Sequence, residues 1–296
     1  MNIIIINKGR EINTFSGWVS SLAVLPDESL ASGQTDSTVK IWNTTTRKLI
    51  RTLYGHNREV WALCLLKDGN LASASWDNTV RIWNTTSGQT IRTLSVHTYW
   101  VLSLVALPDS SLASGSADMT KRIWNISTEE TIKTLSGHTF SVSSLALLTD
   151  GKLASCGGDN TIRIWDLTTN QTIRVLNGHT GWVYSLAVLS DGNLASGSSD
   201  QTIRIWSTTT FQTIKTLVGH KSDVRAMALM KDGTLASSSG NGNGIDCSVR
   251  IWDTKSGQLV KTFNYTSGIT NWRLSLAVLR DGSLVSGSRN NNISIC

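Results

Sequence analysis

Proline is nearly missing from this chain, with 2 in 296 residues, and phenylalanine, tyrosine and methionine stand at 4 each. That scarcity excludes proline-rich linkers and polyproline segments. Long apolar runs are absent as well. Ile3 to Ile6 is the only such stretch near the start, too short for a signal-peptide core or a membrane span. A cytoplasmic protein with no membrane association is therefore expected. Asn-x-Ser/Thr triplets at Asn43, Asn84, Asn125, Asn170, Asn264 and Asn292 are what threonine-rich turns generate, and they matter only on a secretory route.

Cysteine is equally sparse. Cys64, Cys156, Cys247 and Cys296 lie far apart without a CxxC pair, which excludes a zinc site or disulfide framework announced by spacing and favours reduced thiols. Helical periodicity is found nowhere, so no glycine-rich phosphate loop leads into a helix. No histidine and carboxylate cluster has metal spacing, and the expectation is no metal and no cofactor. The formal charge of +6 raises nucleic acid as a partner, a question that the placement of the charges decides.

What the chain has in abundance is repetition. Its five histidines, His56, His97, His138, His179 and His220, follow one another at a step of 41. Trp42, Trp83, Trp124, Trp165 and Trp206 keep the same step, with Trp252 after a longer one. Asp36, Asp77, Asp118, Asp159, Asp200 and Asp246 each stand six residues before their tryptophan. Within one unit, Val183 to Leu189 is an apolar run, Asp191-Gly192 a hairpin turn, and Leu194 to Ser198 a strand of small residues. Thr202 to Trp206 and Thr213 to Leu217 alternate apolar and polar, as half-buried strands do. Four short strands per repeat describe a propeller blade. First strands near residues 19, 60, 101, 142, 183, 224 and 273 predict an all-β, seven-bladed propeller over residues 1–296, one domain. Glu11 to Phe15 matches an outermost strand, so the ring is expected to close by N- and C-terminal strands in one blade. Both Ile3 to Ile6 and Asn292 to Cys296 fit that blade's third strand.

The Gly-His pairs, the turn aspartates and Ile-Trp-Asp at 164–166 and 251–253 resemble the WD-repeat propeller family over essentially the whole chain. The resemblance implies that the recurring polar residues form a buried hydrogen-bond chain, not a catalytic triad. In the second to fifth repeats that chain would comprise His56, Ser73, Asp77 and Trp83; His97, Ser114, Asp118 and Trp124; His138, Ser155, Asp159 and Trp165; and His179, Ser196, Asp200 and Trp206. Buried polar groups need partners, and a set that recurs around a ring does not suit a single catalytic cleft. The sixth repeat keeps His220, Ser237, Asp246 and Trp252 with a longer hairpin at 240–244. The first lacks the histidine. The last has Asn290 for the aspartate and Cys296 for the tryptophan.

The other aspartates are mostly turn residues, Asp27, Asp68, Asp109, Asp150, Asp191, Asp232 and Asp281, and no acid/base couple stands out. No catalytic residue is assigned, and the protein is not expected to be an enzyme. Basic residues follow the repeat around the circumference, which argues against nucleic acid. Left unexplained are Trp18, Trp61, Trp76, Trp100, Trp182 and Trp272, with Tyr184, Arg225 and Arg289 at equivalent places. Other repeats carry Glu59, Ser141 or Asp223 there, so the fold itself does not demand an aromatic. In the resembled family this rim is the usual docking face, and the expected function is a scaffold binding a protein or peptide there. The rival readings are an architectural subunit held by its blade sides and an enzyme with a site in the central channel.

Overall fold

The computed structural model describes residues 2–6, 10–13, 18–240, 246–264 and 275–287, the first two segments by their backbone. All regular structure among them is β, in four-stranded antiparallel sheets. The blade built from Val183–Val188, Leu194–Ser198, Thr202–Trp206 and Thr213–Val218 represents the others. Its strands lie side by side in chain order, joined by short turns.

Each strand's composition follows from its place. The second strand of every repeat blade is buried throughout, because neighbouring blades cover both of its faces. Small residues are obligatory there: a Cβ on Gly197 would come within 2.7 Å of Val224 Cγ1 in the next blade. The outermost strand has one covered face and alternates accordingly, with Ile91 exposed and Leu94 buried. Its outer edge carries Arg51, Arg92, Lys133 and Lys215, charges that discourage pairing with a further chain.

The core is a series of sandwiches between blades. Each repeat tryptophan leaves its own sheet and packs on the preceding one: Trp83 with Ile41 and Leu53, Trp165 with Ile123 and Leu135, Trp252 with Ile205 and Leu217. Burying such an aromatic on a neighbour ties each blade to the next, which makes the ring cooperative.

The expected seven blades are corrected to six repeat blades, completed by a further four-stranded sheet that no single repeat builds. Six sheets each take their four strands from one contiguous run, from Val19–Leu53 to Val224–Asn264. The remaining strands are drawn from both ends of the chain. Arg10–Asn13, Asn2–Ile6, Leu284–Gly287 and Ser275–Val278 hydrogen-bond in that order as a closing sheet, with Ile3 opposite Gly287 and Ile6 opposite Leu284. No single repeat supplies this sheet. Ser275–Val278 packs between the first strands Val19–Val24 and Val224–Leu229, and Val285 and Leu279 share a cluster with Val19 and Trp42. Of the two candidates for its third strand, Asn2–Ile6 takes the place. Residues 292–296, and Arg273 with its expected strand start, lie outside the described residues.

Candidate functional site

The polar repeat residues assemble inside the blades. Indole N–H of Trp165 donates to Ser155 Oγ at 2.8 Å, Ser155 Oγ lies 2.7 Å from His138 Nε2, and His138 Nδ1 lies 2.8 Å from Asp159 Oδ2. The carboxylate fixes Nδ1 as the protonated nitrogen, so Nε2 accepts from the serine hydroxyl. The same chain runs through His56, Ser73, Asp77 and Trp83; His97, Ser114, Asp118 and Trp124; and His179, Ser196, Asp200 and Trp206. The sixth blade repeats it with a longer His220–Asp246 contact of 3.2 Å. In the first blade, which has no histidine, the Gln34 amide donates to Ser32 at 2.7 Å beside the Trp42 indole at 2.9 Å.

Electrostatics hold these chains in one protonation state. Burial, the largest influence, pushes the carboxyls of Asp77, Asp118, Asp159, Asp200 and Asp246 up, but histidine and Thr or Ser hydroxyl bonds outweigh it and hold them below the usual carboxylate range. Burial lowers His138 and His220, keeping their imidazoles neutral against the opposing pull of Asp159 and Asp246. The hydroxyls are committed to indole and imidazole, so none is presented as a nucleophile. Among the described residues no three His, Cys, Asp or Glu side chains are grouped to hold a metal.

A different set opens on the rim. The residue before each first strand is pinned by a backbone bond from the turn before the third strand: Ala117 N–H to Trp100 O at 2.8 Å, Ser199 to Trp182 at 2.9 Å, Trp76 to Glu59 at 3.0 Å. Pinning two loops together fixes where the rim side chains stand. Trp61, Trp76, Trp100, Trp182, Tyr184 and Arg225 line one cavity of about 580 Å³ at the mouth of the central channel. Small polar residues, Ser20, Ser141 and Ser143, line it at the equivalent positions of other blades.

The aromatic residues form two banks. On one side Trp76 is sandwiched between Trp61 at 4.8 Å and Trp100 at 4.0 Å, the latter pair nearly parallel at 7°, and Tyr99 leans on Trp100. On the other, Phe140 meets Trp182 at 5.1 Å, Trp182 meets Tyr184, and the Arg225 guanidinium sits 3.9 Å over the Tyr184 ring. Asp223 closes the row as the ion partner of Arg225. Ring contacts of this kind contribute about 0.5–1.5 kcal/mol each.

Trp18, 42% exposed, does not line this cavity; its backbone N–H donates to the Thr35 hydroxyl. Trp272 and Arg289 lie outside the described residues. Sequence reasoning missed Tyr99, Met119 and Phe140, all cavity-lining and 42–49% exposed. Tyr99 and Phe140 stand 41 residues apart, one place before the rim position considered, and that spacing was the available signal.

A family model described as WD domain, G-beta repeat matches residues 9–43, 47–84, 88–125, 129–166, 170–207 and 211–253. The chain belongs to the WD40 repeat family. Each matched WD40 repeat spans the outermost strand of one sheet and the three inner strands of the next, so the repeat is out of phase with the sheet. Six repeats, not seven, is the count that corrects the sequence expectation. The first repeat lends Arg10–Asn13 to the closing sheet. WD40 propellers commonly serve as protein-interaction scaffolds and are generally non-catalytic. No curated protein matches this WD40 chain. Among the described residues no helix is long and apolar enough to cross a membrane.

Proposed function

We propose that this WD40 propeller is a non-catalytic platform that binds a protein or peptide in the aromatic groove of its rim. The observation that carries the reading is the convergence of Trp61, Trp76, Tyr99, Trp100, Phe140, Trp182 and Tyr184 on one cavity. A packing role accounts for Trp76, whose two faces are covered by Trp61 and Trp100. It does not account for Tyr99, Phe140 and Trp182, which leave 49%, 42% and 44% of their surface in water. Exposed aromatics gathered around a concavity characterise interaction sites.

The rival docking surface is the circumference, where Ile50, Ile132, Ile214 and Val260 are exposed. Charges interrupt it: each of these aliphatics is followed directly by Arg51, Lys133, Lys215 or Lys261. At the rim, Tyr99, Phe140 and Trp182 are instead gathered around one cavity. A comparative pull-down tests the choice. Wild type, Phe140→Ala/Trp182→Ala, and Ile132→Asp/Ile214→Asp are used as baits, with folding checked by circular dichroism. Partners lost by the rim variant and kept by the edge variant are the expected result. The opposite pattern moves the site to the blade sides.

A further inference from the structure

The charge of the partner can be read from the groove. Among the described lining residues one is charged, Arg225, and none is a carboxylate. Asp223 is committed to Arg225, and the two side chains are only 18% and 16% exposed. The face of Tyr184 already carries the guanidinium of Arg225. Trp76 has both faces covered by indoles. A basic side chain entering the groove would therefore meet a resident cation and no carboxylate in the lining.

An acidic side chain meets the opposite situation. Arg225 lines the groove and bonds Asp223 through one Nη nitrogen, so its guanidinium keeps donors beyond that bond. Arg58 and Lys221 stand exposed on the same rim. The turn carboxylates Asp68, Asp109, Asp150 and Asp191 lie at the far ends of the first strands, on the opposite face. Asp118 and Asp200, in the turns below the rim, are spent on histidine and threonine, and Glu59, at the rim position itself, does not line the cavity.

We infer that the rim groove takes an acidic segment of a partner polypeptide, its apolar side chains against Phe140 and Trp182 and a carboxylate on Arg225. The inference rests on the protein-binding reading above and adds the chemical class of the ligand. Bidentate pairing of a carboxylate with arginine supplies orientation, and the aromatic bank supplies most of the buried area. Single-stranded nucleic acid is the competing polyanion, but it needs a basic track along its backbone and open ring faces for its bases. The groove has one lining cation, and its largest aromatic bank is closed on itself.

The test is a selection from a library of random short displayed peptides on the full-length protein, with counter-selection on Phe140→Ala/Trp182→Ala. Enriched sequences are expected to combine Asp or Glu with aromatic or leucine residues. Arg225→Gln should weaken the enriched clones about tenfold or more. Asp223→Asn, which frees Arg225, should tighten them, a gain that a merely structural role would not produce. Clones rich in Lys or Arg, or without charge preference, overturn the acidic ligand and leave the aromatic groove standing. Clones that bind the counter-selection variant equally well, or no enrichment at all, overturn the groove itself. Displacement of acidic clones by a thymidine oligonucleotide that binds more tightly overturns the inference in favour of nucleic acid.

Discussion

The ammonium nitrogen of Lys121 lies 3.8 Å from the centroid of the Trp165 ring, fully buried at the seam between the third and fourth blades. Val39, Val80, Ile162, Ile203 and Val249 occupy the same place in the other repeats, where an aliphatic side chain fills the space under the neighbouring tryptophan. Among the described residues the nitrogen has no hydrogen-bond partner, and the ring face is its closest compensation.

Burial, and to a lesser degree Arg163, push the pKa of Lys121 down from 10.5 to about 7, against the pull of Asp159 and Asp118. The unfolded chain keeps this proton up to the ordinary lysine value, whereas the folded chain releases it above about 7. Between those limits the unfolded state binds more protons, so stability rises with pH, by at most about 1.4 kcal/mol per pH unit. The thiol of Cys64, pushed up to about 11, works in the opposite direction above pH 9. Lys121→Met should remove the lysine contribution and raise stability at neutral pH by about 1–4 kcal/mol. Urea unfolding of both proteins from pH 6 to 10 checks this. A difference independent of pH contradicts it.

The buried chains make the protein sensitive to acid. The five aspartates bonded to histidine titrate below 3.8 when folded, so their contribution is present above that value and is lost as pH falls through the folded values. His138 and His220 add a shallower loss below pH 6.5, because the unfolded imidazoles take up protons that the folded ones resist. Melting temperature should therefore fall gently below pH 6.5 and steeply below pH 4. His138→Ala should also lower stability, since it orphans Ser155 and Asp159.

Trp165→Ala removes the indole bond to Ser155, the packing on Ile123 and Leu135, and the seat of Lys121. The cost should be about 3–5 kcal/mol. A variant that melts like the wild type while losing a binding function would show the residue to be functional instead of structural.

Closure makes its own prediction. Asn2–Ile6 covers the edge of Leu284–Gly287, whose residues are buried, and Arg10–Asn13 covers Asn2–Ile6 in turn. Deleting residues 1–15 exposes a hydrogen-bonding edge flanked by apolar side chains. Earlier melting and concentration-dependent aggregation are expected in light scattering. A truncation that stays monomeric and melts unchanged contradicts the role of these strands.

Strand positions were legible in the sequence because each repeat states them again, and Val19, Val60, Val101, Val142, Val183 and Val224 all begin first strands. The count of repeat blades was not, because the sheet assembled from both termini reads as a seventh repeat although six complete repeats are matched. Gln34 escaped notice for a similar reason: it takes the missing histidine's place beside Ser32, donating where histidine accepts, from a position that holds serine or glycine in other blades. Lys121 was hidden by its type, since lysine reads as a surface residue until its burial is seen. At the rim, the sequence indicated Trp100 and Trp182 alike. The structure separates them, placing Trp100 against Trp76 at 4.0 Å and leaving Trp182 44% exposed beside Phe140. Relative orientation across blades is a property of ring closure, which spacing along the chain does not encode.

The central claim is that the exposed bank of the rim groove carries binding. Titration calorimetry of a captured partner against wild type and Phe140→Ala/Trp182→Ala tests it most directly, with thermal melting run on the same samples. The account predicts an affinity lower by at least about tenfold, about 1.4 kcal/mol, with little change in melting temperature. Unchanged affinity in a variant that melts like the wild type would contradict it.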